Sequence, residues 1–229
     1  MKDIVFLVLE TRCLSMENKI NYYKKSLQIL DEIKKSPTKP RLLLHACCGP
    51  CSTYPLKFLC PCFDVTIFFN NSNIYPAEEY YRRLDELKKF LGYFERDYGH
   101  HVDIVEVPYD NETYMKDLEP FKNEREGGQR CFICYEKRLR QAYEYANSHE
   151  FDFVTTVMTI SRYKNAQKLN EIGLKLSSEF KNTKYFLSDF KKAGGMEEAR
   201  QMRIYYDLYN QGYCGCKYTY ENCLIKFKN

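Results

Sequence analysis

Apolar residues recur at two different periods along the chain, and the two periods alternate. Residues 17–36 place Ile20, Tyr23, Leu27, Leu30 and Ile33 on one helical face, and Pro37 and Pro40 close that helix. A short apolar strand follows at Arg41–Ala46, then a short helix at Tyr54–Leu59 and a second strand at Val65–Phe69. Pro76–Phe94 predicts a long helix whose stripe is Tyr80, Leu84, Leu87, Leu91 and Phe94. Val102–Val107 predicts a third strand, and Asn111–Leu118 another helix. A loop rich in Glu, Arg and Gly, Glu124–Arg130, leads into a helix over Cys131–Asn147. Phe151–Val157 is the fourth predicted strand, Lys164–Phe180 a helix and Tyr185–Leu187 a fifth strand. Glu197–Tyr209 is predicted as the last helix.

Strands that alternate with helices build βαβ units, so the expected fold class is α/β. It is a single doubly wound, mostly parallel sheet of about five strands with helices on both faces. Residues 1–16 stand outside the pattern as an N-terminal extension, and 17–229 are expected to form one domain. No internal repeat, low-complexity tract or long linker interrupts that stretch. The polar motifs fall just after the strands: HACCGPC, NNSN, PYDN, TISRYKN and SDFKKAGG follow strands one to five in turn. They therefore cluster at the carboxyl ends, where open α/β sheets place their sites.

Composition adds little until cysteine is considered. The formal charge of +4 permits a nucleic-acid partner without demanding one. Eleven cysteines in 229 residues would suit a secreted disulfide protein or a metal site. The amino-terminal apolar run, Ile4 to Leu9, is six residues long and is ended by Glu10. It is too short for a signal peptide or a membrane span. A cytoplasmic chain is expected, and reduced thiols there point to metal or redox chemistry.

Seven of the cysteines form three clusters: Cys47, Cys48 and Cys51; Cys131 and Cys134; Cys214 and Cys216. Each begins at a loop or helix end, which core packing does not produce. A turn at Gly49-Pro50 would let Cys47 and Cys48 both reach one metal centre. Cys131 and Cys134 share a helix face at i, i+3, where the helix N-terminus and Arg130 are expected to favour their thiolates. Gly215 allows the Cys-Gly-Cys loop a close approach. Cys13 and Cys223 read as small buried hydrophobes, and Cys60 and Cys62 more as core than as ligands. A 4Fe–4S cluster takes four thiolates, and three would remain. Three protein ligands with an open fourth position is the arrangement of a catalytic single-metal site. The alternative is a cluster with a reactive dithiol.

Three other readings compete. A zinc-bound RNA-binding protein would use two closed tetrahedral sites. A thiol–disulfide oxidoreductase would work through Cys131 and Cys134 but has no use for the other placed thiols. An ATP-dependent tRNA thiolase would need a phosphate loop after the first strand, where this chain has HACCGPCS.

The strings LLLHACCGPC (42–51), FFNNSNIYPAEEY (68–80), GGQRCFICYEKRL (127–139), DFVTTVMTISRYKN (152–165), SDFKKAGG (188–195) and YNQGYCGCKYT (209–219) resemble the epoxyqueuosine reductase QueH family. The resemblance runs from about residue 18 to 220. One departure is visible: the family usually reads Ser-Pro-His-Lys-Asn where this chain has Ser161-Arg162-Tyr163-Lys164-Asn165. A histidine there is not available as a proton donor.

The resemblance implies reduction of the epoxide of epoxyqueuosine in tRNA to the cyclopentene of queuosine. It implies a 4Fe–4S cluster beside one additional metal ion, iron, without cobalamin. The expected partners are a tRNA carrying epoxyqueuosine and an unidentified electron donor, with no membrane. Cys47, Cys48, Cys131 and Cys134 are assigned to the cluster, and Cys51, Cys214 and Cys216 to the single catalytic metal. Arg130, Lys164 and Lys191 are candidates for tRNA phosphates. Asn70, Asn71 and Asn73 would read the base or cap a turn, and Asn165 and Asp189 complete the expected substrate set. His45 is a satisfied core histidine or a ligand.

Overall fold

A computed structural model describes residues 20–228, with side chains as far as Cys223. The expected N-terminal extension and Cys13 lie outside the described residues. The first helix, α1, is Tyr22–Ile33, started by Asn21, whose side chain accepts from Lys24 N–H at 3.0 Å. Then come β1 (Arg41–His45), α2 (Gly49–Leu59), β2 (Asp64–Phe69), α3 (Ala77–Tyr98) and β3 (Asp103–Glu106). They are followed by α4 (Asn111–Lys116), α5 (Gln129–Ser148), β4 (Phe153–Thr156), α6 (Ala166–Glu179), β5 (Lys184–Tyr185) and α7 (Gly195–Tyr205).

The sheet is parallel throughout, in the order β3-β2-β1-β4-β5. Neighbouring residues of β1 point to opposite faces and into different cores. Leu42 and Leu44 pack with Leu56, Leu59, Leu87, Phe90 and Phe94, under α2 and α3. Leu43 packs with Leu139, Tyr143, Leu169 and Leu176, under α5 and α6. Helices therefore cover both faces. The chain leaves β1 towards β2 on one side and returns through β4 on the other. That reversal opens a crevice beyond the carboxyl ends of β1 and β4.

Two elements differ from the sequence reading. The helix expected at Tyr54 begins at Gly49, because Pro50 sits in its first turn, where a missing N–H costs nothing. Gly49 is required there: a Cβ would meet the Glu86 carbonyl oxygen at 2.9 Å, so α2 and α3 cross closely. The helix expected over Glu197–Tyr209 ends at Tyr205 and is not the last. A further helix, α8 (Lys217–Lys228), follows the Cys-Gly-Cys loop, and its weakly amphipathic sequence gives little periodic signal. Among the described residues no helix is long and apolar enough to cross a membrane.

Candidate metal centre

The early start of α2 decides the geometry of the first cysteine cluster. Cys48 is its N-cap in extended backbone, and Cys51 falls in the first helical turn, one turn above. The sulfurs of Cys47, Cys48 and Cys51 all lie within 4.8 Å of one another, and the trio could hold a metal ion. Cys47 and Cys48 Sγ are 3.9 Å apart. Two thiolates on one tetrahedral ion at about 2.3 Å stand about 3.8 Å apart, so the Cys47–Cys48 pair is already at single-ion spacing. Cys47 and Cys48 are buried and Cys51 partly so. Pro55 lacks the N–H that would otherwise bond the Cys51 carbonyl within the helix. Gln211 Nε2 donates to Cys48 Sγ at 3.0 Å and lies 3.8 Å from Cys51 Sγ.

The second and third clusters meet across α5. Cys131 is in the first turn of that helix, and its sulfur accepts from Gly127 N–H at 3.2 Å. Gly127 has φ +84°, a conformation that suits glycine, and this turn aims its N–H at the sulfur. Cys134 Sγ accepts from Tyr114 O–H at 3.3 Å, and the same hydroxyl reaches the Cys134 carbonyl at 3.1 Å. Burial pushes the Cys131 thiol up to about 11, with Cys134, Cys214 and Cys216 adding to the rise despite the Gly127 N–H. The expected helix-end stabilisation of a Cys131 thiolate is thus outweighed by burial. Cys216 is raised first by burial and then by Cys214 and Cys134. Cys131 and Cys216 thus each feel the charge of Cys134 and Cys214. Lys164 faces Cys47 and Cys51 as well as Cys214, so the first and third clusters adjoin it together.

The Cys-Gly-Cys loop is held by a buried arginine. Arg83, 1% exposed on α3, pairs through Nε with Glu79 Oε1 at 2.7 Å. Its Nη1 donates to the Cys214 carbonyl at 3.1 Å and its Nη2 to the Tyr213 carbonyl at 3.2 Å. Gly215 turns at φ +122°, and its carbonyl accepts from Tyr75 N–H at 2.7 Å.

Two cations face the sulfurs. Arg138 is 2% exposed on α5, four residues beyond Cys134, and no carboxylate pairs with it among the described residues. Burial disfavours its charge, but Cys134, Tyr114, Cys214 and Cys47 raise its pKa. Lys164 is disfavoured by burial and raised by Cys214, Cys47 and Cys51. The Cys47 thiol is drawn well below the usual thiol range by hydrogen bonds from Cys48 and Cys51, with Lys164 and Arg138 helping. Sulfur charge beside Arg138 and Lys164 would offset cations that have no carboxylate partner among the described residues.

Four of the expected substrate residues share one open cavity of about 520 Å³: Lys164, Asn165, Asp189 and Lys191 line it with Asn21 and Gln167. Lys191 Nζ donates to the Thr159 carbonyl at 2.7 Å and lies 3.2 Å from Asp189 Oδ1. Asn165 also caps α6, accepting from Lys168 N–H at 3.1 Å.

The asparagines lie deeper. Asn70 donates to Gln141 Oε1 at 2.7 Å, and Asn71 donates to the Ala46 carbonyl at 2.7 Å, pinning the end of β1. Asn73 is buried with Oδ1 unpartnered. Arg130, expected at a phosphate, is 4% exposed, and its Nη1 serves the carbonyls of Phe121, Lys122 and Glu124. It holds that loop and lies 4.2 Å from the Tyr218 ring centroid, with its Nε buried and unpartnered. His45 is a satisfied core histidine. Its Nε2–H donates to the Asn70 carbonyl at 3.3 Å, and Nδ1 accepts from the Thr156 hydroxyl at 2.9 Å. Burial, then Arg138, lowers its pKa to about 3, so the ring is neutral. Cys60 and Cys62 are buried in the core.

Sequence reasoning missed Arg83, Tyr114, Arg138 and Gln211. Arg138 had a legible signal, since it stands at i+4 from Cys134 and i+7 from Cys131, on the cysteine face of α5. The others reach the sulfurs or the Cys-Gly-Cys loop from distant segments, which local spacing does not reveal.

Comparison with known proteins follows the same residues. A family profile described as Epoxyqueuosine reductase QueH matches residues 42–222. The Epoxyqueuosine reductase QueH of Streptococcus pyogenes serotype M1 is 38% identical over 201 residues, 88% of this chain and 78% of the relative. That of Staphylococcus aureus is 38% identical over 212 residues, covering 92% and 88%. That of Thermotoga maritima is 28% identical over 184 residues, covering 78% and 89%. The matched stretch contains all three cysteine clusters and the cavity loops after β4 and β5, and on this match the chain belongs to the epoxyqueuosine reductase QueH family.

Proposed function

We propose that this chain reduces epoxyqueuosine to queuosine in tRNA, with its seven clustered cysteines holding a 4Fe–4S cluster and one further ion, iron. The single observation that carries the reading is electrostatic. Thiols from three separate segments meet beside Arg138 and Lys164, two cations with no carboxylate partner among the described residues. Four thiolates around a cubane and three around a divalent ion each leave net negative charge, which those cations would offset. The donor set thus fits both groups.

We assign Cys131, Cys134, Cys214 and Cys216 to the cluster and Cys47, Cys48 and Cys51 to the single ion. The 3.9 Å separation of Cys47 and Cys48 Sγ favours that division over the one expected from the sequence, because a cubane spreads its thiolates over four iron corners. When bound, the pair would supply electrons one at a time and a Lewis acid.

The rest falls to the chain's own residues. Epoxide removal consumes two electrons and two protons and releases the oxygen as water. The cavity beside Lys164 would receive the modified nucleoside, with Asn165 and Asp189 as hydrogen-bonding partners at its wall. Lys164, kept protonated by its thiolate neighbours, would supply a fixed positive charge. The Lys191 ammonium is lowered by burial, so the proton on its Nζ is given up more readily than from an exposed lysine. We assign Lys191 as the proton source for the departing oxygen. The electrons come from an external donor.

The test is turnover. Anaerobically loaded protein, a chemical reductant and tRNA carrying epoxyqueuosine are combined, and the digested nucleosides are weighed by mass spectrometry. Loss of one oxygen from the modified nucleoside is the expected result. Unchanged epoxyqueuosine with fully loaded protein contradicts the proposal.

A further inference from the structure

The loop between β4 and α6 exposes an aromatic ring that the fold does not use. Tyr163 is 65% exposed, among the most open large side chains described. It belongs to none of the core clusters. The guanidinium carbon of Arg162 lies 4.7 Å from its ring centroid, and the same guanidinium donates to the Tyr163 hydroxyl. The ring is therefore braced on one side and open on the other. Its two successors, Lys164 and Asn165, turn into the cavity wall, whereas Tyr163 does not line the cavity. Tyr163 thus stands at the rim of the cavity, outside the space for the reacting nucleoside.

The charge around this rim selects the occupant. Arg162, Lys164, Lys191 and Lys192 face a single carboxylate, Asp189, among the residues that line the cavity or flank Tyr163. An exposed aromatic interleaved with cations is the arrangement that holds a single-stranded nucleic acid, with bases on the ring and phosphates on the charges. An apolar protein partner would leave Arg162 and Lys192, which have no carboxylate partner among the described residues, without a counter-charge.

We propose that Tyr163, braced by Arg162, is a stacking platform for an RNA base next to the modified nucleotide in the chain. The inference rests on the tRNA reading above and goes beyond it by naming how the neighbouring nucleotide is gripped. Tyr163 is a positioning residue, because it touches no reacting atom. The platform raises affinity for RNA and holds the backbone in register while the modified base enters the cavity.

The experiment compares two substrates with the loaded protein: a short RNA carrying epoxyqueuosine with nucleotides on both sides, and the free epoxyqueuosine nucleoside. Tyr163→Ala should weaken binding of the RNA roughly 5- to 100-fold. It should leave the KM for the nucleoside and the kcat unchanged. Tyr163→Phe keeps the ring and should stay within about 2-fold of the parent. Because the ring is uncharged, Tyr163→Ala should not alter the salt slope of RNA binding, whereas Arg162→Ala should reduce it by about 0.7. Iron content of each variant checks that the exposed substitutions leave the centre intact. Unchanged RNA affinity in Tyr163→Ala overturns the platform while the reductase reading stands. Equal losses on RNA and nucleoside also overturn it, since the ring would then contact the reacting base. Failure of the parent protein to bind the RNA overturns the tRNA reading and the platform together.

Discussion

Arg83→Met tests the latch that places the third cysteine cluster. The wild-type guanidinium is 1% exposed and makes one ion pair, at 2.7 Å to Glu79, and two hydrogen bonds to the carbonyls of Cys214 and Tyr213. Methionine keeps much of the volume and removes all three. Glu79, 8% exposed, would retain only the Tyr209 hydroxyl at 3.1 Å. Breaking a buried pair from one side costs about 3–5 kcal/mol, mostly the penalty of the stranded charge. For a chain of this size about 2–4 °C of Tm accompanies each kcal/mol, so a fall of roughly 6–20 °C is expected. The assay is thermal unfolding followed by circular dichroism. The double variant Glu79→Gln/Arg83→Met removes the stranded charge and should recover at least about 1 kcal/mol. A second readout is local: in metal-free protein the thiols of Cys214 and Cys216 should alkylate faster once their loop is released. A Tm within about 2 °C of the parent, with alkylation unchanged, refutes the latch.

Two further outcomes follow from the geometry. Gly173→Ala would place a Cβ 2.4 Å from the buried Tyr185 ring, and overpacking should cost a net ~1–3 kcal/mol despite the helix-propensity gain, read from denaturant midpoints. Cys216→Ser and Cys51→Ser should differ in acid-labile sulfide: the first loses it with the visible absorption, while the second keeps it and loses about one iron. Retention of sulfide by Cys216→Ser would return that residue to the single-ion set.

The fold was largely legible because each strand is a short apolar run and each long helix has a continuous stripe. Both periods survive without tertiary context. The parallel sheet and the placement of the motifs at its carboxyl edge followed from strand–helix alternation alone. The helix start at Gly49 was less legible, since Gly-Pro reads as a turn and becomes a helix start only when α3 packs against it. That one shift sets Cys51 a helical turn above Cys48, with its sulfur within 4.8 Å of those of Cys47 and Cys48. Arg130 shows the opposite failure. Its place in a loop suggested a phosphate contact, whereas in the structure its Nη1 donates to three backbone carbonyls of the preceding loop. Lys164, Asn165, Asp189 and Lys191 line one cavity because two strand-end loops meet where β4 and β5 pair.

The central claim is that the seven cysteines hold a cluster together with a single ion. Iron and acid-labile sulfide, measured per chain on anaerobically purified protein together with its visible spectrum, test it most directly. About five irons and about four sulfides per chain, with the broad brown absorption of a cubane, are predicted. A colourless protein with about two zinc ions and no sulfide would contradict it and make the cysteines two closed structural sites.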